Sequence, residues 1–387
     1  MSAVAIKGWC PGALRPMQSG DGLVVRIRPR GGRLDAIQAA GIAELSARHG
    51  NGLIDLTSRA NLQIRGVSEE GYPFLIEGLA GLGLLDADSD TEAQRNVLVT
   101  PFWTGADDTQ SLAAELERAL ATASLDLPTK FGFAIDDGSE RVLAGASADI
   151  RIERDRKGAL LVRADGALLG RPVTRSDAVP VALAMAEWFM ASGGATNEKR
   201  RMAAHLAGGA SLPLSLRGDA EPVAQSADPG PGLYLAGAMV GVAFGQMPHQ
   251  TLSHLAASTQ ALRMTPWRMV LVEGMHEMPR GADLVTEADD PALRVIACSG
   301  APRCREAHAD TRKLATALAP HIPADARLHV SGCAKGCAHS GPADVTLVAT
   351  HEGFDLIRHG TVRDALVLRG LTGAGIIANP SVLTGGH

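Results

Sequence analysis

Four of the five cysteines lie near the C-terminal end, as Cys298-Ser299-Gly300-Ala301-Pro302-Arg303-Cys304 and, about thirty residues on, Ser331-Gly332-Cys333-Ala334-Lys335-Gly336-Cys337. A C-x5-C … C-x3-C arrangement requires two separate loops to meet at one point. Thiolates are the usual terminal ligands of iron in iron–sulfur clusters, and a cubane core takes four. Glycines at 300, 332 and 336 permit backbone angles that let a chain wrap closely round an inorganic core. The pattern predicts a 4Fe–4S site on Cys298, Cys304, Cys333 and Cys337. Structural zinc and disulfides are the other readings. Zinc more often takes tight C-x2-4-C pairs, which the first half fits poorly. Residues 1–8 lack an apolar run after a charged start, so no secretory signal is expected there. The expected compartment is the cytoplasm, where grouped thiols bind metal more often than they pair.

At 387 residues the chain has length for two or three domains. A net charge of −5 gives no bulk attraction to nucleic acid or membrane surfaces, and no apolar stretch of about twenty residues predicts a membrane span.

Periodicity divides the chain into four segments. Residues 1–87 read as strand, helix (34–49), strand and helix (72–82), with apolar and polar residues alternating over 58–67. Residues 88–218 carry a strand or loop at 95–101, a helix at 107–123, a strand at 130–136, a hairpin round Arg156-Lys157-Gly158, and helices at 179–191 and 198–206. Residues 218–232, rich in proline, glycine and acid, read as an exposed linker. Beyond it the first segment repeats: residues 56–66 align without a gap on 264–274, with apolar matches at 56/264, 62/270 and 64/272. The third segment is 219–289. The fourth, 290–387, parallels the second, with strands at 292–297, 328–330 and 344–349, a helix at 305–318, and the cysteines where strands give way to loops.

Together these features resemble the sirohaem-dependent sulfite and nitrite reductase family over nearly the whole chain. The carriers are the cysteine spacing, the Thr57-Ser58-Arg59-Ala60-Asn61-Leu62-Gln63 stretch, Arg95-Asn96-Val97 and Lys130-Phe131. The resemblance implies an α+β, pseudo-duplicated architecture: ferredoxin-like half-domains at 1–87 and 219–289, and α/β domains at 88–218 and 290–387. It implies that Cys298, Cys304, Cys333 and Cys337 hold the cluster, with Cys337 in the place that bridges to sirohaem iron. It makes Arg59, Arg95 and Lys130 the cations of the catalytic pocket. The second lysine of the family's Lys-Phe-Lys strand is absent, and Gly132 stands there. Loss of that cation argues against sulfite or nitrite as substrate, and glycine is expected to leave room for something larger. Trp9-Cys10-Pro11-Gly12, Pro16-Met17, Gly20-Asp21-Gly22 and the short length look most like the branch of the family that works in aerobic cobalamin synthesis. That branch implies an oxygen-dependent hydroxylation of precorrin-3A with lactone formation, and an external electron donor, a reductase or ferredoxin. No Gly-x-Gly-x-x-Gly follows a strand to bind a nicotinamide. The alternatives are a sirohaem-dependent reductase and a non-catalytic tetrapyrrole-binding protein.

A tetrapyrrole with many carboxylates needs separated cations, and arginine offers a planar fork for each. Arg59, Asn61, Gln63 and Arg65 read as one polar row on a strand, which with Arg95 and Lys130 forms the expected substrate-binding set. Taken on periodicity alone, the row reads more readily as the solvated face of an edge strand. The active site is expected between the halves, with Cys337 on one wall and Arg59, Arg95 and Lys130 on the other. The resemblance further implies a separate non-haem iron, for which His254, His308, His329 and His339 are candidates by residue type; no 2-His-1-carboxylate spacing links them. Cys10 is the leftover thiol. Trp267 holds the place of Arg59 in the repeat, either stacking on a cofactor or filling core.

Overall fold

The computed structural model describes residues 11–123, 125–196, 200–339 and 341–384. Its strands form four sheets that fall into two matched pairs. The first sheet is antiparallel, in the order Met17–Ser19, Gly22–Ile27, Leu62–Val67, Leu53–Leu56, Gln246–Pro248. The third has the same plan, in the order Gly232–Tyr234, Gly237–Val242, Met269–Glu273, Ala261–Met264, Arg33–Asp35. Each thus ends on a strand supplied by the other half of the chain. A kinked turn precedes each exchanged strand and has the same shape in both: Gly31 and Gly32 have φ of 56° and 70°, Phe244 and Gly245 of 56° and 70°.

Each exchanged strand leads directly into a helix. Asp35 starts Ala36–His49 with a capping box: its carboxylate accepts from Gln38 N–H at 2.7 Å, and Gln38 Oε1 accepts from Asp35 N–H at 3.2 Å. Such a cap contributes about 1 kcal/mol. That helix packs on His249–Ala257. Ile42, Ala43, Leu252 and Leu255 join Val25, Ile64, Val240 and Val272 in one core that both sheets share. Each such aliphatic side chain contributes about 1.5–3 kcal/mol when buried, so the shared core holds the halves together.

The repeat is present in the backbone. Ala60 and Arg268 both take left-handed φ, 54° and 59°, as do Gly66 and Gly274, 67° and 71°. Equivalent residues lie 213 apart before the helix (31 to 244) and 208 apart after it (56 to 264); the difference of five is that between a 14-residue helix and a 9-residue one.

The second and fourth sheets form the other pair. Val97–Val99, Phe133–Asp136, Ile150–Arg154, Leu160–Ala164 and Arg171–Pro172 pair parallel, parallel, antiparallel, antiparallel. Val295–Ala297, Leu328–Ser331, Ala343–Thr350, Gly353–Gly360 and Leu368–Leu371 do the same. No helix among the described residues is long and apolar enough to cross a membrane.

Several expected elements are shorter than their periodicity suggests. The strand at 130–136 begins only at Phe133, the helix at 305–318 only at Thr311, and that at 198–206 is Met202–Ala207. The linker does not hang free. Its backbone bridges from Ala220 to Gly170, Pro222 to Asp155 and Gln225 to Arg141, so its prolines serve an extended segment laid along the second sheet.

Candidate functional site

Thr57 breaks the polar row. Its Oγ1 accepts from the N–H groups of Arg59 (3.3 Å) and Asn61 (3.2 Å), and its own N–H donates to Asn61 O at 2.9 Å. This closes a turn with Ala60 at positive φ, and the strand starts afresh at Leu62. Arg59 is therefore lifted out of the sheet rather than aligned with Gln63 and Arg65. Its Nη2 donates to Lys130 O at 2.9 Å and reaches Ser147 Oγ at 3.5 Å. Arg59, Asn61, Arg95, Asn96 and Ser147 line one small cavity.

Arg95 contributes structure rather than free charge. It is 5% exposed, gives Nε and Nη2 to the two oxygens of Asp86 at 2.9 and 2.8 Å, and donates to Arg28 O at 3.0 Å. Burial works against its charge, but the Asp86 hydrogen bonds and the charges of Glu117 and Asp86 more than offset it, so its pKa is raised. Asn96 fixes the neighbouring loop: its amide donates to Thr129 O at 3.3 Å and Phe131 O at 3.1 Å and accepts from Arg28 Nη1 at 2.7 Å. Lys130 is exposed in that loop, off the strand expected to carry it.

Gly132 does not leave the expected room. A Cβ there would meet Asn96 O at 3.1 Å and Arg59 Nη1 at 3.8 Å. Arg59 and Asn96 have filled the space. Gly132 N–H donates to Asp149 Oδ2 at 3.0 Å, and the buried Asp149 also accepts from Arg201 Nε at 2.9 Å and Met202 N–H at 2.8 Å. Arg201 in turn donates to Ser147 Oγ at 3.0 Å. Ser147 thereby joins the small cavity to a cleft of about 530 Å³ walled by residues 144–148, Arg151, Asp165 and Arg201. Ser147, Asp149 and Arg201 escaped the sequence reading because no motif surrounds them.

Gln63 and Arg65 face elsewhere. With its amide oxygen turned to the guanidinium, Gln63 accepts from Arg26 Nη2 at 2.9 Å. Arg65 is bound by Asp21 (2.9 Å) and faces Asp55 (3.5 Å) on the wall against the cysteine loop, where Ser19 Oγ donates to Arg303 O at 3.3 Å.

The cysteines occupy loops after Val295–Ala297 and Leu328–Ser331. All four are free thiols, so no disulfide joins them. The loops are tied together: His308 N–H donates to Gly332 O at 2.9 Å, and Gly332 N–H donates to Cys298 Sγ at 3.1 Å, a backbone hydrogen bond to sulfur of the kind that supports a thiolate ligand. A Cβ at Gly332 would crowd Ala307 at 2.7 Å and Cys298 Sγ at 3.3 Å. Burial pushes the thiols of Cys333 and Cys337 up, and the charges of neighbouring cysteines add to it, although Cys337 is the most exposed of the four residues. A bound metal offsets that cost. Among the described residues no three His, Cys, Asp or Glu side chains close on one ion. Four cysteine thiols on two converging loops are the donor set that a four-iron core takes.

The histidines do not assemble. His254 is exposed on its helix. His308 lies against His351 (ring centroids 4.0 Å) and the fully buried His329 against His339 (5.7 Å). Burial first, then His339 and Arg268, push the pKa of His329 down to about 4, and neither ring nitrogen has a partner. Trp267 packs on the shared core, its default role. Cys10 lies outside the described residues; just after it, Ala13 and Leu14 N–H groups donate to the buried Glu92 carboxylate at 2.6 and 3.1 Å.

Comparison with known proteins agrees with the fold. Residues 15–82 match the nitrite/sulfite reductase ferredoxin-like half domain. The solved structure of the Mycobacterium tuberculosis NirA protein superposes with a TM-score of 0.63 at 18% identity, covering 92% of this chain and 79% of that one. The chain thus resembles proteins of the sulfite and nitrite reductase type, in sequence over residues 15–82 and in fold over most of its length. Its long-range likeness is to precorrin-3B synthase of Sinorhizobium sp, 29% identical over 92% of this chain and 83% of the relative. A ferredoxin–nitrite reductase of Leptolyngbya laminosa is 25% identical over the same shares, 92% and 83%.

Proposed function

We propose that this chain is an iron–sulfur oxidoreductase of aerobic cobalamin synthesis that converts precorrin-3A to precorrin-3B. The reading rests on the likeness to precorrin-3B synthase across 92% of the chain. One oxygen atom of O2 enters the ring and an acetate side chain closes the lactone. The other leaves as water with two electrons and two protons from an external donor. Cys298, Cys304, Cys333 and Cys337 hold a 4Fe–4S cluster, which supplies single-electron transfer. Arg59, Asn61 and Lys130 bind substrate carboxylates at the rim of the cleft, while Arg95 and Asn96 brace the loop that presents them. Arg201 and Ser147 extend this polar wall. Arg65, tied through Ser19 to the cysteine loop, braces that loop rather than binds substrate, and Gln63 is engaged by Arg26.

The nitrite reductase relatives favour a second reading, reduction of a small anion at sirohaem. Against it stands Gly132, which replaces a clamp lysine and whose space is filled. Anaerobically purified protein given precorrin-3A, a reductant and O2 should consume oxygen and yield a product heavier by one oxygen atom. Turnover of sulfite or nitrite with haem absorption, and none of precorrin-3A, would establish the second reading instead.

A further inference from the structure

A buried guanidinium is costly unless a carboxylate stands against it. Arg95 meets that condition through Asp86 and Glu117. Two other largely buried arginines, both behind the cysteine loops, share a single carboxylate. Arg312 Nε donates to Cys298 O at 3.3 Å, and its Nη2 stands 3.6 Å from Asp55 Oδ1. Arg268, held at a left-handed φ of 59°, donates from Nη2 to Ala338 O at 2.7 Å, one residue past Cys337.

The same carboxylate, Asp55, acts on both arginines. It is already engaged by Arg65 at 3.5 Å and by Gln246 Nε2 at 2.6 Å. Three guanidinium groups (Arg65, Arg268, Arg312) therefore face two carboxylates, Asp21 and Asp55. The buried His329 beside Arg268 adds an imidazole N–H with no acceptor. Here the guanidinium groups outnumber the carboxylates paired with them.

We infer that the missing counter-charge is the cluster itself, and that Arg268 and Arg312 are positioning residues that clamp the backbone at its first and last ligands and raise its reduction potential. The inference rests on the cluster reading above. A cubane held by four thiolates is an anion, and reduction makes it more negative. Fixed cations in a low-dielectric interior stabilise the reduced form more than the oxidised one.

The test is an EPR-monitored redox titration of the full, cluster-loaded chain. Arg312→Met and Arg268→Met should each lower the equilibrium constant for one-electron reduction about tenfold, a shift of about 59 mV to more negative potential. Arg312→Lys and Arg268→Lys, which keep the charge, should stay near the parent. Asp55→Asn removes the opposing charge and should move the potential the other way, which decides the matter if the Met variants do not load. The inference is overturned if loaded Met variants keep the parental potential, if Lys variants shift as far as Met, or if Asp55→Asn turns the potential more negative. A parent chain with no iron or acid-labile sulfide instead overturns the cluster reading beneath it.

Discussion

The turn at residues 57–61 and the turn at 265–269 share a backbone but grip different things. Thr57 and Thr265 both hold their turns through Oγ1, and Ala60 and Arg268 both accept positive φ. In the first turn Arg59 reaches out to the loop of the second sheet. In the second, Trp267 fills core and Arg268 reaches the cysteine loop of the fourth. The strands behind them reverse charge at the same register. Asp55 opposes Arg65 in one half, and Arg263 opposes Glu273 in the other, each 208 residues on. Arg263 then holds Pro101 O and Trp103 O at 2.8 and 2.7 Å. Duplication preserved the backbone. Side-chain replacement divided the labour, with cations at an open cleft in one half and thiols backed by buried cations in the other.

If the halves are divided in this way, the largest effect belongs to the thiols. Cys333→Ser should remove bound iron and acid-labile sulfide, measured on anaerobically purified protein, while the first-half cleft stays folded. Next comes the compensated arginine. Asp86→Asn strands Arg95 in the interior and should cost about 3–5 kcal/mol in denaturant unfolding. Glu273→Gln, at a more exposed pair, should cost less; equal losses would remove the contrast. Arg59→Met should raise KM for a carboxylate-rich tetrapyrrole roughly tenfold or more, as loss of a charge-assisted hydrogen bond implies. Its melting temperature should change little; a lowered melting point with KM unmoved would make Arg59 a brace like Arg95.

Two smaller effects compare equivalent positions. Asp136 ends Phe133–Asp136 where Ser331 ends Leu328–Ser331. Burial, opposed by the Leu143 N–H, raises the Asp136 pKa from 3.8 to about 7. The folded chain therefore keeps a proton that the unfolded chain releases, and this group's contribution makes stability fall as pH rises from about 4 to about 7 and level off above. Asp136→Asn should flatten that slope in unfolding titrations. Least of all, Ala60→Gly trades relief of left-handed strain for glycine's chain entropy and should alter stability by under about 1 kcal/mol.

The duplicated plan and the thiol set were legible in the sequence because both are patterns of spacing. The functions of the cations were not. Arg59 read as a strand residue because alternation continues through Thr57, whose hydroxyl, invisible to periodicity, closes a turn instead. Arg65 and Arg95 read as pocket cations, but their partners, Asp21 and Asp86, are set by tertiary packing that spacing does not encode. Arg268 lay inside the recognised repeat, at the position of Ala60, and only the bulkier Trp267 beside it drew notice. Arg312 has no motif; its part appears only when the helix Thr311–Leu318 is seen to start behind Cys298.

The central claim is that the second half holds a redox cluster, and metal and sulfide content of the anaerobically purified chain tests it most directly. About four irons and four acid-labile sulfides per chain are expected. Stoichiometric zinc with neither iron nor sulfide would contradict the account.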